Sequence, residues 1–343
     1  QANVEEGRQL SNFHERPFEY KGIEYRSVEH AYQTLKGGPN TFDEDVYRMF
    51  LEADFVDGIG PRITGPKVDK EISEELLETL MKESFEQNPD AMWTLLRTKG
   101  QNLTHSVGDK FWSGKFPEIL MKIRDDHKGV LHIEEPKGGW LPRTSVNASS
   151  ADITIDFAPD DRGSGARRSG VIGSTQRETT GAGKEYIWVK TDADGNFLEG
   201  SKPLDEVIDD IAKALSEGKQ INIAGSGQYS MKLSQEQINN KVYEFFKPAV
   251  DKVGIENITG IVRSGGQSGF DMAGVIAFDR LGISTLNYHN PASDKLAVFS
   301  DPSKVTGSYG PDVQSITDPD EYYKMFDAGD GKIPSGPGTP SID

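Results

Sequence analysis

Two short apolar strands, each followed by a glycine-rich turn and a helical segment, constrain the second half of the chain most. Ile221-Asn-Ile-Ala224 precedes Gly225-Ser226-Gly227, and a strand predicted over residues 258–263 precedes Ser264-Gly265-Gly266-Gln267-Ser268-Gly269. A further strand is predicted over residues 284–288. This alternation of strand and helix predicts a parallel sheet with right-handed crossovers.

In such a sheet the turns lie at the carboxyl edge, where helix N-termini offer free N–H groups to anions. Asp271 can cap its helix or accept a hydrogen bond from a ribose hydroxyl. The alternative is that the turns serve the fold alone. The predicted nucleotide-binding residues are Gly225, Ser226, Gly227, Ser264, Gly265, Gly266, Gln267, Ser268, Gly269 and Asp271.

The first part of the chain has a mainly helical pattern. A short hairpin is predicted over residues 18–25, and apolar residues at helical spacing run from Ile72 to Phe85. Over residues 27–36 the apolar side chains recur at i, i+3, i+4 and i+7, with Ser27 placed as the N-cap. A mainly α-helical (α+β) domain is expected.

The helix over residues 27–36 carries a polar stripe. At about 100° per residue, Glu29, Gln33 and Lys36 fall on one narrow face beside the apolar one. A carboxylate, an amide and an amine then point the same way. The alternative is an ordinary solvated surface; for Tyr32 and His30, which lie close by, the alternatives are a core position and a buried turn.

The chain of 343 residues is long enough for two domains. Residues 134–183 are rich in Gly, Ser, Pro, Thr and Arg, which predicts a flexible linker with a brief strand at residues 153–157. The expected domains are residues 1–133, mainly helical, and residues 184–327, an α/β domain with a parallel sheet. Residues 328–343 are expected to be a disordered tail.

Composition limits the partners and the compartment. The absence of cysteine excludes disulfides and thiolate chemistry and fits a reducing compartment, so we expect a cytoplasmic protein. No apolar run approaches the length of a membrane span, and no membrane partner is expected. The six histidines include no pair with helical i, i+4 spacing, and the sequence predicts neither a metal site nor a cofactor.

The net charge also restricts nucleic-acid binding. With 38 basic and 55 acidic residues the chain carries a net charge of −17. Such a surface repels polyphosphate, which disfavours a long duplex-binding groove. A small nucleotide or a modified chain end remains a fitting partner.

The second half resembles the SLOG superfamily of Rossmann-like nucleotide-binding domains over about residues 184–325. The resemblance rests on Ile-Ala-Gly-Ser-Gly at residues 223–227 and on Ser-Gly-Gly-Gln-Ser-Gly-Phe-Asp at residues 264–271. Gly227 stands where many members carry an arginine. The resemblance implies that this half binds a nucleotide-derived ligand.

The first half resembles the NADAR family of YbiA-like N-glycosidases over about residues 8–128. The family cleaves the N-glycosidic bond between a base and a ribose derivative, including riboflavin-pathway intermediates and ADP-ribose attached to guanine. The opening signature is matched by Leu10-Ser-Asn-Phe13, Pro17-Phe18, Gly22, Ser27-Val-Glu-His30, Tyr32-Gln33 and Lys36. Later segments are matched by Phe85-Glu-Gln-Asn-Pro89, Leu95-Leu96, Lys110-Phe111-Trp112 and Ile119-Leu120-Met121.

The resemblance implies roles for the polar stripe. Glu29 is expected to face oxocarbenium charge on the sugar or to activate water. Lys36 is expected to donate to the leaving group or a phosphate, or to attack an opened ribose as a Schiff base. Tyr32 and Trp112 can stack on a base, whereas Asp109 has the alternative of an ordinary surface charge. The predicted substrate-binding residues are Asn12, Phe13, His30, Tyr32, Gln33, Asp109, Lys110 and Trp112.

The chain departs from the family after Trp112. Members commonly continue through an acidic glycine-rich loop to an Asn-x-Leu-Gly segment, whereas here Ser113-Gly-Lys115 runs directly into Phe116-Pro117. Either the pocket is completed by other residues or the substrate specificity has moved.

The resemblances together predict a hydrolase acting on an ADP-ribose-like or NAD-related conjugate, ADP-ribosylated nucleic acid included. The alternatives are a non-catalytic sensor of such nucleotides and an inert interaction module.

Overall fold

The computed structural model describes residues 5–38, 41–66, 70–105, 110–127, 129–134, 140–165, 172–192, 194–227, 233–289, 296–299, 313–316 and 341–342. The chain divides into two compact units, Gln1–His127 (unit 1) and Lys128–Asp343 (unit 2). Among the described helices, none combines the length and the apolar character needed to cross a membrane.

Unit 1 is mainly helical. Its elements in chain order are α1 (Glu5–Arg8), β1 (Phe18–Tyr20), β2 (Ile23–Tyr25), α2 (Val28–Leu35), α3 (Glu44–Glu52), α4 (Lys70–Glu86), α5 (Pro89–Leu96) and α6 (Lys110–Asp126). The predicted hairpin is confirmed: β1 and β2 pair antiparallel across Lys21 and Gly22. Both turn residues have positive φ, 52° and 78°, as a tight hairpin turn requires.

The apolar face of α2 lies in the core of unit 1. Val28 and Ala31 are fully buried and α2 packs against α3 and α4, which contribute Phe50 and Leu80. The predicted helix over residues 27–36 is therefore confirmed, and its apolar residues point inward as their spacing indicates.

Unit 2 is an α/β fold. Its elements are β3 (Val130–Glu134), α7 (Trp140–Ser150), β4 (Ile153–Ala158), α8 (Ser174–Gly181), β5 (Glu185–Thr191), β6 (Phe197–Leu198), α9 (Leu204–Ser216), β7 (Gln220–Gly225), α10 (Gln235–Val253), a 3-10 turn (Ile255–Asn257), β8 (Ile261–Ser264), α11 (Phe270–Arg280), β9 (Thr285–His289), β10 (Leu296–Phe299), β11 (Val313–Ile316) and β12 (Ser341–Ile342). The last three strands form a separate antiparallel sheet.

The main sheet has seven strands in the order β3-β9-β8-β7-β4-β5-β6, and every neighbouring pair is parallel except β5 with β6. The chain passes from β4 to its neighbour β5, and then returns to add β7, β8 and β9 on the other side of β4. The direction in which strands are added therefore reverses at β4.

The two faces of this sheet differ in chemistry. Ile155, Phe157 and Ile223 belong to a large apolar core that includes residues of α9 and α10. Residues that alternate with these are polar yet buried, among them Thr154 and Asn222, whose side chains hydrogen-bond each other at 3.3 Å. This hydrogen bond offsets part of the cost of burying the two polar side chains.

Residues 134–183 correct the sequence prediction, because they are not a linker. They contribute α7, the central strand β4 and α8, and all six residues of β4 are buried. The brief strand expected at residues 153–157 is confirmed, but its neighbours β5 and β7 supply the burial that local composition did not indicate.

The ends of the predicted domains differ as well. Unit 2 begins at Lys128, ahead of the boundary predicted at residue 133, because β3 pairs with β9. The tail predicted over residues 328–343 lies outside the described residues except for β12, which pairs with β10.

Candidate functional site

The first turn of α2 is fixed from two directions. Ser27 is extended, with φ −159° and ψ 165°, and its hydroxyl accepts a hydrogen bond from the His30 N–H at 3.2 Å. The Glu29 N–H donates to the Asn12 carbonyl oxygen at 2.9 Å. The backbone at Asn12 is thereby tied to the turn that carries Glu29.

Gln33 links the carboxyl group of Glu29 to a neighbouring loop. Gln33 Nε2 donates to Glu29 Oε1 at 2.6 Å, and the Gly65 N–H donates to Gln33 Oε1 at 2.8 Å. Because both its nitrogen and its oxygen are hydrogen-bonded, the Gln33 amide has one orientation. It holds the side chain of Glu29, which lies one helical turn closer to the N-terminus.

Burial shifts the two charged members of the stripe in opposite directions. Burial raises the pKa of Glu29, while the hydrogen bond from Gln33 and the positive charge of Lys36 act against this rise. Burial lowers the pKa of Lys36, which is only 9% exposed, and Glu29 acts against that change. Both pKa values therefore move toward neutral pH, which favours proton transfer by catalytic acids and bases.

An aromatic pair adjoins this stripe. The rings of Tyr32 and Trp112 meet edge to face, with centroids 6.0 Å apart and an interplanar angle of 81°. Lys36 Nζ lies 5.6 Å from the centroid of the Tyr32 ring. The structure thus brings together Glu29, Tyr32, Gln33, Lys36 and Trp112 from the predicted site.

Asn12 takes part through its backbone. Its side-chain Oδ1 is buried and has no hydrogen-bond partner among the described residues. It remains available to a donor. Phe13 is also held through its backbone, since its carbonyl oxygen accepts from the Gly60 N–H at 2.7 Å.

His30 does not belong with the stripe. Its ring is fully buried, stacks on Phe50 at 4.9 Å and meets Tyr25 edge to face. Its Nδ1 accepts from the Arg26 N–H at 3.1 Å. Burial lowers the pKa of His30 to about 4, so this ring is a neutral core residue at physiological pH. These contacts fit the alternative of a buried position, and substrate binding by His30 stays a prediction.

Two predicted residues cannot be placed. Asp109 lies outside the described residues. Lys110 opens α6, but its side chain is likewise outside the described part of the structure.

In unit 2 the two glycine-rich turns are bound to each other. Asp271 Oδ1 accepts from the Gly225 N–H at 3.0 Å, and Asp271 Oδ2 lies 3.6 Å from Arg143 Nη1. Arg143 also donates to the Gly265 carbonyl oxygen at 2.8 Å and to Gln267 Oε1 at 3.4 Å. Asp271 therefore joins the two turns and does not cap α11.

Several of the N–H groups at the two glycine-rich turns already have partners. The Ser226 N–H donates to the Phe157 carbonyl oxygen at 2.8 Å, and the Phe270 N–H donates to that of Ser226 at 3.3 Å. The Gly269 N–H donates to Gln235 Oε1 at 2.6 Å. The alternative that these turns serve the fold accounts for these contacts.

The side-chain positions in the turns have packing explanations too. A Cβ at Gly225 would lie 2.5 Å from that of Phe270, and one at Gly266 would lie 2.1 Å from Asn287 Oδ1. The Ser264 hydroxyl lies within hydrogen-bond distance of two backbone carbonyl oxygens. Gly227 pairs with Gly269 in an isolated bridge, and Ser268 is buried.

Sequence reasoning missed Arg143 and Asp156, which lie on α7 and β4. Both fall within the segment predicted to be a linker, and their buried positions depend on strands far away in sequence. The alternation of Ile153, Ile155 and Phe157 was the one local signal that indicated a strand there.

A groove of about 660 Å³ lies elsewhere in unit 2, lined by residues of β6, α9 and α10 that include Phe197, Ile208 and Phe245. It contains none of the predicted site residues. Within the described part of the chain, no three His, Asp or Glu side chains are grouped so as to hold a metal ion. No protein-family model, curated protein or solved structure matches the chain.

Proposed function

We propose that the protein is an N-glycosidase whose unit 1, a NADAR-like domain, hydrolyses an ADP-ribose-like or nucleotide-derived conjugate such as ADP-ribosylated guanine. Unit 2, a SLOG-like domain, binds a nucleotide-derived ligand. The observation that carries the proposal is the half-buried Glu29 carboxyl held at 2.6 Å by Gln33, with the buried Lys36 on the same helix face.

The proposed reaction breaks the bond between the sugar C1 and a base nitrogen. As this bond lengthens, positive charge develops on the sugar ring, and the Glu29 carboxylate stabilises it. Lys36 donates a proton to the departing base, which leaves with the bonding electron pair. Water then adds to C1, and Glu29 accepts the proton that this water loses.

The neighbouring residues position the substrate in this scheme. Gln33 keeps the Glu29 carboxyl in one orientation, because its own amide is anchored to Gly65. Trp112, whose ring meets that of the buried Tyr32 edge to face, offers aromatic surface to a base. Asn12 Oδ1 is available to accept a hydrogen bond from a ligand.

The test is release of free base from ADP-ribosylated guanosine and from NAD, followed by chromatography. Glu29→Gln is expected to abolish turnover. Burial raises the pKa of Glu29, so ionising this carboxyl at neutral pH costs folding free energy. Glu29→Gln should therefore leave the melting temperature at pH 7 equal to that of the wild type or above it.

Glu24→Gln is the matched control, since Glu24 is an exposed residue of β2 in the same unit. It should leave turnover unchanged. Turnover that persists in Glu29→Gln would refute the role of Glu29. A large fall in its melting temperature would instead assign Glu29 a structural role.

A second candidate function is a non-catalytic sensor of the same nucleotides. The observation favouring it is that α6 runs without interruption from Lys110 to Asp126, through Pro117, where the resembling family has an acidic loop. Measurable binding of ADP-ribosylated guanosine without base release would favour the sensor over the N-glycosidase.

A further inference from the structure

The crevice beside β4 is the place where the topology of unit 2 favours a ligand. Strands are added to one side of β4 and then to the other, so the loops after β4 and β7 leave the sheet in opposite directions. In open parallel sheets, ligands bind outside the carboxyl ends of the strands at such a reversal. The relevant connection after β4 leads to α8.

A Gly-Ser-Gly turn brings this connection against α8. Gly163 and Gly165 both have left-handed backbone, with φ of 75° and 76°. A Cβ at Gly163 would lie 2.3 Å from the Tyr186 hydroxyl, and one at Gly165 would lie 2.2 Å from Ser174 Oγ. Only glycine permits this approach, which places the turn directly over the first residue of the helix.

The N-terminus of α8 is buried but not capped. Ser174 and Thr175 are 4% and 5% exposed, and the N-cap Gly173 has no side chain to accept a hydrogen bond. Among the described residues, the N–H groups of Ser174, Thr175 and Gln176 have no acceptor; the first with one is that of Arg177. Buried helix donors without acceptors are costly, and an anion satisfies all of them at once.

Asp156 provides a second, independent indication of a ligand. It is fully buried, and its Oδ2 accepts from the Tyr186 hydroxyl at 2.8 Å and from the Ser164 N–H at 2.9 Å. Its Oδ1 is buried and has no partner among the described residues. This oxygen requires a donor, which a sugar hydroxyl can supply.

The two features belong to one cluster. The Ser164 hydroxyl lies 2.8 Å from that of Thr175, so a short chain of hydrogen bonds joins Asp156 to the first turn of α8. A ligand that bears both an anion and a hydroxyl group matches this cluster. A bare phosphate matches it less well, because it has no sugar hydroxyl to reach the carboxyl group while its own oxygens bind the helix.

We propose that unit 2 binds a phosphorylated ribose at this corner, with the phosphate on the N–H groups of Ser174, Thr175 and Gln176 and a ribose hydroxyl donating to Asp156 Oδ1. This inference rests on the proposed nucleotide binding by unit 2. It moves that site from the two glycine-rich turns to the connection between β4 and α8.

The test is hydrogen–deuterium exchange of the full-length chain, read by mass spectrometry on peptides that cover residues 172–181. Ribose 5-phosphate should slow exchange in these peptides, whereas ribose should not, and inorganic phosphate should require at least about tenfold higher concentration. Protection confined to peptides over residues 225–227 and 264–269 would overturn the inference while leaving the proposed binding by unit 2 intact.

Gln176→Glu isolates the anion contact. It places a carboxylate at the third position of α8, where it competes with the phosphate but favours the helix itself. The ligand concentration for half-maximal protection should rise about tenfold in the folded variant. Gln237→Glu makes the same change at the third position of α10 and should alter nothing. Equal behaviour of the two variants would overturn the inference.

Asp156→Asn isolates the hydroxyl contact. Tyr186 and Ser164 both donate to Oδ2, so the asparagine carbonyl oxygen must take that place. Its NH₂ group then faces the ribose hydroxyl, and protection should require roughly tenfold more ribose 5-phosphate. Unchanged protection in a folded variant would refute the role of Asp156. Base release by unit 1 should be unaffected, which separates this test from that of Glu29.

Discussion

Gly65 should tolerate no side chain, although it lies in a loop with ordinary backbone conformation. A Cβ at this position would lie 2.2 Å from the Gln33 carbonyl oxygen and 3.5 Å from Lys36 Cε. The carbonyl oxygen belongs to α2 and cannot move aside. In Gly65→Ala the loop must therefore shift by about 1 Å, which breaks the 2.8 Å hydrogen bond from Gly65 to the Gln33 amide.

The cost has two parts. Overpacking of this kind costs roughly 1–3 kcal/mol, and losing one hydrogen bond costs about 1 kcal/mol. Unit 1 should thus lose roughly 2–4 kcal/mol of its unfolding free energy, measured by urea denaturation. At roughly 3–5 °C per kcal/mol for a unit of this size, its melting temperature should fall by roughly 6–20 °C. Released from Gly65, Gln33 no longer fixes Glu29, so base release should fall as well.

Gly114→Ala is the matched control in the same unit. Gly114 lies in α6, and a Cβ there would meet nothing within 4 Å. Since alanine favours a helix over glycine, this variant should gain roughly 0.5–1 kcal/mol. If Gly65→Ala matched Gly114→Ala in unfolding free energy, the loop would be free to move and the reasoning about Gln33 would fail.

Two further predictions concern stability. Asp271→Ala removes the buried acceptor of the Gly225 N–H, which is also the carboxylate beside Arg143. The unfolding free energy of unit 2, measured by urea denaturation, should therefore fall by roughly 2–4 kcal/mol. Asp251→Ala breaks an exposed ion pair and should lower it by less than about 1 kcal/mol. Burial lowers the pKa of His30 to about 4, so unfolded chains bind a proton below pH 6.5 that folded chains refuse. Unit 1 should therefore lose stability as the pH falls from 6.5 to 4, and circular-dichroism melts of His30→Phe should show a weaker dependence across that interval.

Elements whose signals are local could be predicted from the sequence. The helix over residues 27–36 was predicted with its N-cap and its buried face, because capping and i, i+4 spacing act within a few residues. Glu29, Gln33 and Lys36 point the same way for the same reason. The contact between Gln33 and Gly65 could not be predicted, since nothing in the helix indicates which loop lies against it.

Strand β4 shows why the rest was missed. A brief strand was predicted at residues 153–157, but the glycine-rich stretches that follow it gave the whole segment the composition of a linker. The burial of both faces comes from β5 and β7 and from the helices that cover the sheet, which are contributed by distant sequence. The proposed site beside α8 therefore could not be predicted, whereas the two turns that carried a sequence signal are in part occupied by their own hydrogen bonds.

The edge strand β3 has a consequence for the order in which the protein is made. Val130 of β3 pairs with Thr285 of β9, about 155 residues further along the chain. At a synthesis rate of roughly 5–20 residues per second, the ribosome needs about 8–30 s to deliver that partner. Unit 1 ends at His127 and can close on itself during this interval. β3 must wait as an open apolar strand, so the nascent chain is most exposed to misassociation between the completion of unit 1 and the arrival of β9.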